Sequence, residues 1–174
     1  MLKPYIKKVS ERQDLTAAEM AEAMEIMMTG KSNDAQIAAF LTALKMKGET
    51  VEEISAAAKV MREKAHHLPV DREIILDTCG TGGDYAGTFN ISTAVSVVAA
   101  ACGVTVAKHG NRALTSKSGS ADVLKALGVN VDAAHETIKA SIEKIGLGFL
   151  YAPGCHMAMK YAAPVRREIG IRNI

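Results

Sequence analysis

Along residues 1–68 apolar side chains recur every three or four positions: Met20, Met24, Met27 and Met28, then Ile37, Phe40, Leu41 and Leu44. That spacing lines one face of a helix, and a run of methionines at helical spacing reads first as core. Start signals fall in step with it. Thr16 with Glu19 and Thr50 with Glu53 fit the reciprocal capping pair, and Asn33 with Gln36 is a weaker version. Gly30, Gly48 and Pro69 are the matching stops. The pattern predicts helices over 17–29, 34–47 and 51–66, which together make a small helical domain over residues 1–69.

From residue 70 the period changes. Short apolar runs at 74–76, 104–107 and 148–151 alternate with helical patterns at 92–101, 119–127 and 133–145. Strands separated by helices imply a parallel sheet with right-handed crossovers, and ligands bind beyond the carboxyl ends of such strands. Residues 154–170 read as a helix or a pair broken around Pro164, and 171–174 as a strand cut short. The predicted fold is therefore α/β with an all-helical N-terminal domain, the parallel sheet flanked by helices occupying residues 70–174.

Composition narrows the class without changing this picture. The chain is 48% apolar and 23% charged, ordinary for a packed globular protein, and its net charge of +2 argues for neither nucleic acid nor an anionic membrane as partner. The longest weakly polar stretch, 91–107, is interrupted by Ser, Thr and Gly and reads as helix plus strand, not a membrane span. Cys79, Cys102 and Cys155 are widely spaced, and the opening MLKPYIKKVSERQDL carries no apolar leader, so the cytoplasm is expected.

The candidate chemistry is concentrated in two loops, each after a predicted strand and before a predicted helix. In the first, 77–92, Gly80, Gly82, Gly83 and Gly87 clear side chains from a backbone whose amides can turn toward an anion. Asn90, Ser92 and Thr93 stand where the next helix begins, and its free amides favour a phosphate. The second, 108–120, holds Lys108, His109, Asn111, Arg112, Thr115, Ser116, Lys117, Ser118 and Ser120, a density of donors that suits a ligand carrying several phosphates.

Neither common nucleotide loop is present: Tyr85 stands where G-x-G-x-x-G needs its third glycine, and Thr88 and Phe89 follow the glycine pair spaced as in a P-loop. Cys79 reads as a small packing residue, His66 and His67 as a helix end. His135 opens HETIK, which lacks the second histidine of a zinc motif.

The segments DTCGTGGD, NIST, KHGNRALTSKSGSADVLKALG and APGCHMAMKYAAPVRREIGIRNI resemble the signature segments of the anthranilate phosphoribosyltransferase family, and the resemblance runs along essentially the whole chain. Met157 departs from it, standing where the family commonly has proline. The family is also about twice as long, and its later half carries an adjacent Asp-Glu pair that helps hold magnesium. No such dipeptide occurs here. The chain thus resembles an N-terminal fragment, with 70–174 the first part of the α/β domain that binds phosphoribosyl pyrophosphate.

The resemblance implies transfer of the phosphoribosyl group from phosphoribosyl pyrophosphate to anthranilate in tryptophan biosynthesis, with Mg²⁺ as cofactor and a homodimer formed through the helical domain. It assigns phosphoribosyl pyrophosphate to Gly80, Gly83, Asp84, Thr88, Asn90, Ile91, Ser92 and Thr93, with Ser92 also on the metal. Lys108, His109, Gly110, Asn111, Arg112, Ala113, Leu114, Thr115, Ser116 and Ser120 continue that site. Anthranilate falls to Gly80, Asn111 and Arg166, with His109 beside the aromatic ring. No acid or base is assigned, because an aromatic amine is already nucleophilic and positioning carries much of the work. Two other readings remain open: an enzyme like the nucleoside phosphorylases, and a noncatalytic binding or dimerisation module.

Overall fold

The computed structural model describes residues 1–80, 88–113 and 118–171. In chain order the elements are α1 (Lys3–Ser10), α2 (Ala17–Met28), α3 (Asp34–Lys47), α4 (Val51–Lys64), α5 (Ile91–Ala101), β1 (Val106–Gly110), α6 (Ser120–Ala126), α7 (His135–Ile145), β2 (Leu147–Tyr151), α8 (Ala152–Cys155), a 3₁₀ turn (Met157–Tyr161) and α9 (Ala163–Ile169). They form two compact units, Met1–Ala65 with His156–Ile174 and His66–Cys155.

The helical unit follows its caps. The hydroxyls of Thr16 and Thr50 accept from the amides of Glu19 and Glu53, whose carboxylates reach back to the cap amides, and Asn33 accepts from Gln36 N. Met20, Met24, Met27, Ile37, Phe40 and Leu44 are buried in one core, so the methionine run is packing. α1 was not anticipated from the sequence. Its signals are present but short: Pro4 in the first turn, and Leu2, Ile6 and Val9 at helical spacing.

Glu53 ties this unit together. Its carboxylate is fully buried and accepts from Leu15 N at 2.8 Å, Thr50 N at 2.8 Å and Lys47 Nζ at 2.8 Å. Lys47 also reaches Asp14 at 2.7 Å. Burial pushes the Glu53 carboxyl upward, but the Lys47 hydrogen bond and the two amides outweigh it and hold it below the usual carboxylate range.

One helix end is corrected here. α4 stops at Lys64, because Ala65 turns extended, and His66 leaves the helix to stack on His135 with ring centroids 3.9 Å apart. Residues 156–171 pack with the helical unit, with Ala162 and Val165 buried in its core. The 3₁₀ turn and α9 meet at Ala162 with Pro164 in the first turn of α9, so this segment is a pair broken beside that proline. Ile171 is not in a strand, and the remainder of that predicted strand, 172–174, lies outside the described residues.

In the α/β unit β1 and β2 pair in parallel with Lys108 opposite Phe149 and Gly110 opposite Tyr151. The predicted strand at 74–76 contributes one parallel bridge, Leu76 to Val106, while Ile74 is exposed. β1 begins two residues later than predicted and runs through Lys108, His109 and Gly110, which the sequence had placed in a loop. Alternate burial of Val106, Lys108 and Gly110 explains the shift, because the sheet's inner face holds the lysine stem and the glycine. A Cβ on Gly110 would stand 2.8 Å from the Phe149 ring and 2.9 Å from Ser120 Oγ, so only glycine fits without displacement. α5 leaves Ile91, Val95 and Val98 exposed along one face.

Candidate functional site

The site grows from the carboxyl end of β1 and the first turn of α5. Asn90 caps α5, its Oδ1 accepting from Thr93 N at 3.3 Å and Thr93 Oγ1 at 2.6 Å, with Ser92 Oγ donating to it at 3.4 Å. Thr93 is thereby buried and its hydroxyl is committed to the cap. From the segment after Leu76, Thr78 Oγ1 donates to the Ser92 carbonyl at 2.9 Å and so holds that turn in place.

Lys108 comes up beneath this turn. It is 1% exposed, with its ammonium 3.2 Å from Ser92 Oγ and 3.4 Å from Thr78 Oγ1. Among the described residues its hydrogen-bond partners are these two hydroxyls, and no carboxylate bonds it. Burial pushes the ammonium below the usual lysine range, with Cys79 and Asp77 opposing that only in part. A buried cation answered by neutral oxygens alone is costly, and an arriving anion relieves that cost.

Asp77 and Thr78, neither singled out from the sequence, organise these groups. Asp77 Oδ1 accepts from Cys79 N at 2.9 Å and His109 N at 3.1 Å, joining the root of the first loop to β1. Their signal was an Asp-Thr pair between a strand and a glycine-rich loop. Cys79, expected as a packing residue, is exposed, and partial desolvation and then the Asp77 charge push its thiol upward, away from a reactive thiolate.

The second loop leaves β1 through Asn111, Arg112 and Ala113. Its return limb lies against them: Ala121 N donates to Asn111 O at 3.2 Å, and Asp122 Oδ2 accepts from Ala113 N at 3.0 Å and Gly119 N at 2.8 Å. Asn90 Nδ2 reaches Ser118 O at 3.5 Å, connecting the α5 cap to this limb. Asn90, Ser92, Thr93, Lys108, His109, Gly110, Asn111, Arg112, Ala113 and Ser120 therefore gather at one end of the α/β unit.

Thr88 lies exposed just before the cap, and Ile91 is exposed in the first turn of α5. Gly80 is exposed, and a Cβ there would meet open space. Gly83, Asp84, Leu114, Thr115 and Ser116 lie outside the described residues. Arg166 belongs to the helical unit, on α9. It is half-buried where Arg167 is exposed, and burial pulls its guanidinium downward. A cavity of about 290 Å³ lined by Val131, His135, Tyr151 and Cys155 among others contains none of these residues.

Among the described residues no three acidic, histidine or cysteine side chains cluster to hold a metal. Magnesium commonly keeps its waters and takes one or two protein oxygens beside substrate phosphates, and the Ser92 hydroxyl, 3.2 Å from the Lys108 ammonium, would serve such an ion only where bound phosphates offset that charge.

A helical bundle joined to an α/β unit, with a buried cation on β1 beside the N-terminus of α5, defines a two-part protein class whose α/β part carries chemistry suited to an anion. The family follows: residues 3–65 match the glycosyl transferase family helical bundle domain, and residues 72–174 match the glycosyl transferase family a/b domain. The chain belongs to this glycosyl transferase family. It is 58% identical over 174 residues to the anthranilate phosphoribosyltransferase of Alkaliphilus metalliredigens, covering all of this chain and 51% of that protein. With the Geobacter sulfurreducens enzyme of the same name it shares 57% identity over 188 residues, covering 54% of that protein.

Among solved structures, the anthranilate phosphoribosyltransferase of Thermus thermophilus superposes with a TM-score of 0.88 at 47% identity over 97% of this chain and 51% of that one. The Saccharomyces cerevisiae enzyme in complex with PRPP and Mg superposes at 0.87 with 29% identity, over 99% of this chain and 52% of that one. The chain spans about half the length of the curated relatives it matches.

Proposed function

We propose that the protein transfers the phosphoribosyl group of phosphoribosyl pyrophosphate to the amine of anthranilate, releasing pyrophosphate, in the cytoplasmic synthesis of tryptophan. The observation that carries this reading is Lys108, a buried ammonium whose hydrogen-bond partners among the described residues are the Ser92 and Thr78 hydroxyls at the mouth of α5. The relatives are called anthranilate phosphoribosyltransferases, and one of them was solved with PRPP and Mg, which supports the choice of substrate and ion.

Breaking the bond from the anomeric carbon to pyrophosphate leaves positive charge on the ribose and sends negative charge onto the leaving group. In this reading Lys108 and the first amides of α5 stabilise that growing charge from fixed positions, an electrostatic effect of the type that commonly dominates such rates. Ser92 supplies a hydroxyl ligand to magnesium, which when bound neutralises pyrophosphate oxygens. Asn111 orients the anthranilate amine and Arg166 takes its carboxylate through charge-assisted hydrogen bonds. A homodimer through the helical unit is supported by the exposed apolar side chains Met46, Val51 and Ile54 around the α3–α4 turn.

The test is loss of anthranilate fluorescence on adding phosphoribosyl pyrophosphate and Mg²⁺ to the polypeptide at the full length of its relatives. Turnover that vanishes without the sugar pyrophosphate supports the reading. Phosphorolysis of thymidine or uridine with no use of anthranilate overturns it.

A further inference from the structure

Asp122 makes two hydrogen bonds that have different consequences. One, from Gly119 N at 2.8 Å, is the reach-back of a helix capping pair and belongs to α6. The other, from Ala113 N at 3.0 Å, has no part in capping: it crosses to the limb that has just left β1, nine residues earlier in the chain. Both amides meet the same oxygen, Oδ2, so one carboxylate holds the outgoing and returning limbs of the second loop together. The backbone hydrogen bonds from Ala113 and Gly119 hold its carboxyl below the usual range, so it is ionised whenever the site works at neutral pH.

The packing of the two limbs leaves no slack around this clamp. A Cβ on Gly119 would run into the backbone of Asn111, Arg112 and Ala113, and Ala121 N adds a third bridge to Asn111 O. What the clamp fixes is therefore the path of Asn111, Arg112 and Ala113 directly beyond Lys108, and the place of Ser120 against Gly110.

We infer that Asp122 is a positioning residue of the phosphoribosyl pyrophosphate site, its single carboxylate oxygen setting the place of Asn111, Arg112, Ala113 and Ser120 without touching the ligand. This rests on the function proposed above. Residues that orient ligating groups from behind commonly change affinity or activity 10- to 100-fold when removed.

The experiment compares wild type, Asp122→Ala and Asp122→Asn in the full-length polypeptide. Asp122→Ala is expected to raise KM for phosphoribosyl pyrophosphate about 10- to 100-fold, and KM for anthranilate with it, since Asn111 lies on the limb that the clamp holds. Asp122→Asn keeps an oxygen acceptor of the same shape and is expected to recover most of that loss. Amide exchange without ligand gives a second readout: both Ala113 and Gly119 speed up in Asp122→Ala, whereas a pure helix cap would release Gly119 alone. A lowered melting temperature with both KM values unchanged, or fast exchange confined to Gly119, overturns the inference. If Asp122→Ala does not fold, KM in Asp122→Asn combined with wild-type exchange at Ala113 decides: slow exchange there supports the clamp, and rapid exchange overturns it. Wild type that never uses phosphoribosyl pyrophosphate would instead sink the function on which the inference stands, so the two failures are told apart.

Discussion

Lys108 Nζ lies 3.2 Å from Ser92 Oγ, joining the inner face of β1 to the first turn of α5 across sixteen residues of chain. Lys108→Met removes the charge while filling similar space, and is expected to raise KM for phosphoribosyl pyrophosphate about 10- to 100-fold, the worth of one or two hydrogen bonds to a charged group. Without ligand the same variant should unfold at an equal or higher temperature, because an incompletely answered buried charge has been removed. Steady-state kinetics and a melting curve check both halves.

The Lys108 ammonium also gives the site a pH dependence. Its folded pKa lies below that of an unfolded lysine, so between the two values the unfolded chain holds a proton that the folded chain has lost. The cost of the buried charge is fully present below the folded value and is relieved as pH rises through it, so stability from this group increases toward about pH 10.4. Binding of an anion reverses the depression, and ligand affinity should fall as pH passes the folded value. Calorimetry of phosphoribosyl pyrophosphate binding in alkaline buffers of different ionisation enthalpy should show proton uptake in wild type and none in Lys108→Met.

Glu53 predicts the opposite slope in the helical unit. Its folded carboxyl lies below the unfolded value of about 4.3, so its contribution is present above that pH and is lost as pH falls through the folded value. Glu53→Gln leaves Lys47 with the exposed Asp14 carboxylate and the Gly48 carbonyl and weakens two amide contacts, an expected loss of about 3 kcal/mol at neutral pH. Urea midpoints measured from neutral to acid pH should converge for wild type and variant as the carboxyl protonates.

Gly148 is a packing glycine with no exceptional backbone angle. A Cβ there would overlap Ile142 Cγ1 and stand 3.2 Å from Ile138 Cγ2, so Gly148→Ala should cost about 1–3 kcal/mol through overpacking of α7 on β2. In a double-mutant cycle with Ile142→Ala the two single costs should sum to more than the cost of the pair.

The helical unit was legible because each of its long helices announces itself locally, Thr16, Asn33 and Thr50 starting runs whose apolar period then closes on a core. The end of α4 was not, because His66 is drawn off by a ring on α7, a contact that no local signal encodes. β1 was displaced for a related reason: Lys108 and Gly110 look like loop residues, and only burial of the lysine and the close approach of Phe149 make them strand. Of the candidate site, the polar groups gathered near the end of β1 were legible as parts of two dense loops. The residues that hold those donors in place, Asp77, Thr78 and Asp122, were not, since each acts through backbone groups distant in sequence or through another side chain.

The alignment of β1 with β2 has a consequence for how the chain finds its fold. Sliding one strand past the other by a single residue would turn His109 inward and send Lys108 to the opposite side, away from Ser92 and Thr78. A mispaired intermediate would thus forfeit the Lys108–Ser92 contact along with its packing, so, if the proposed function holds, added pyrophosphate compounds should rescue correct pairing and leave slipped forms behind.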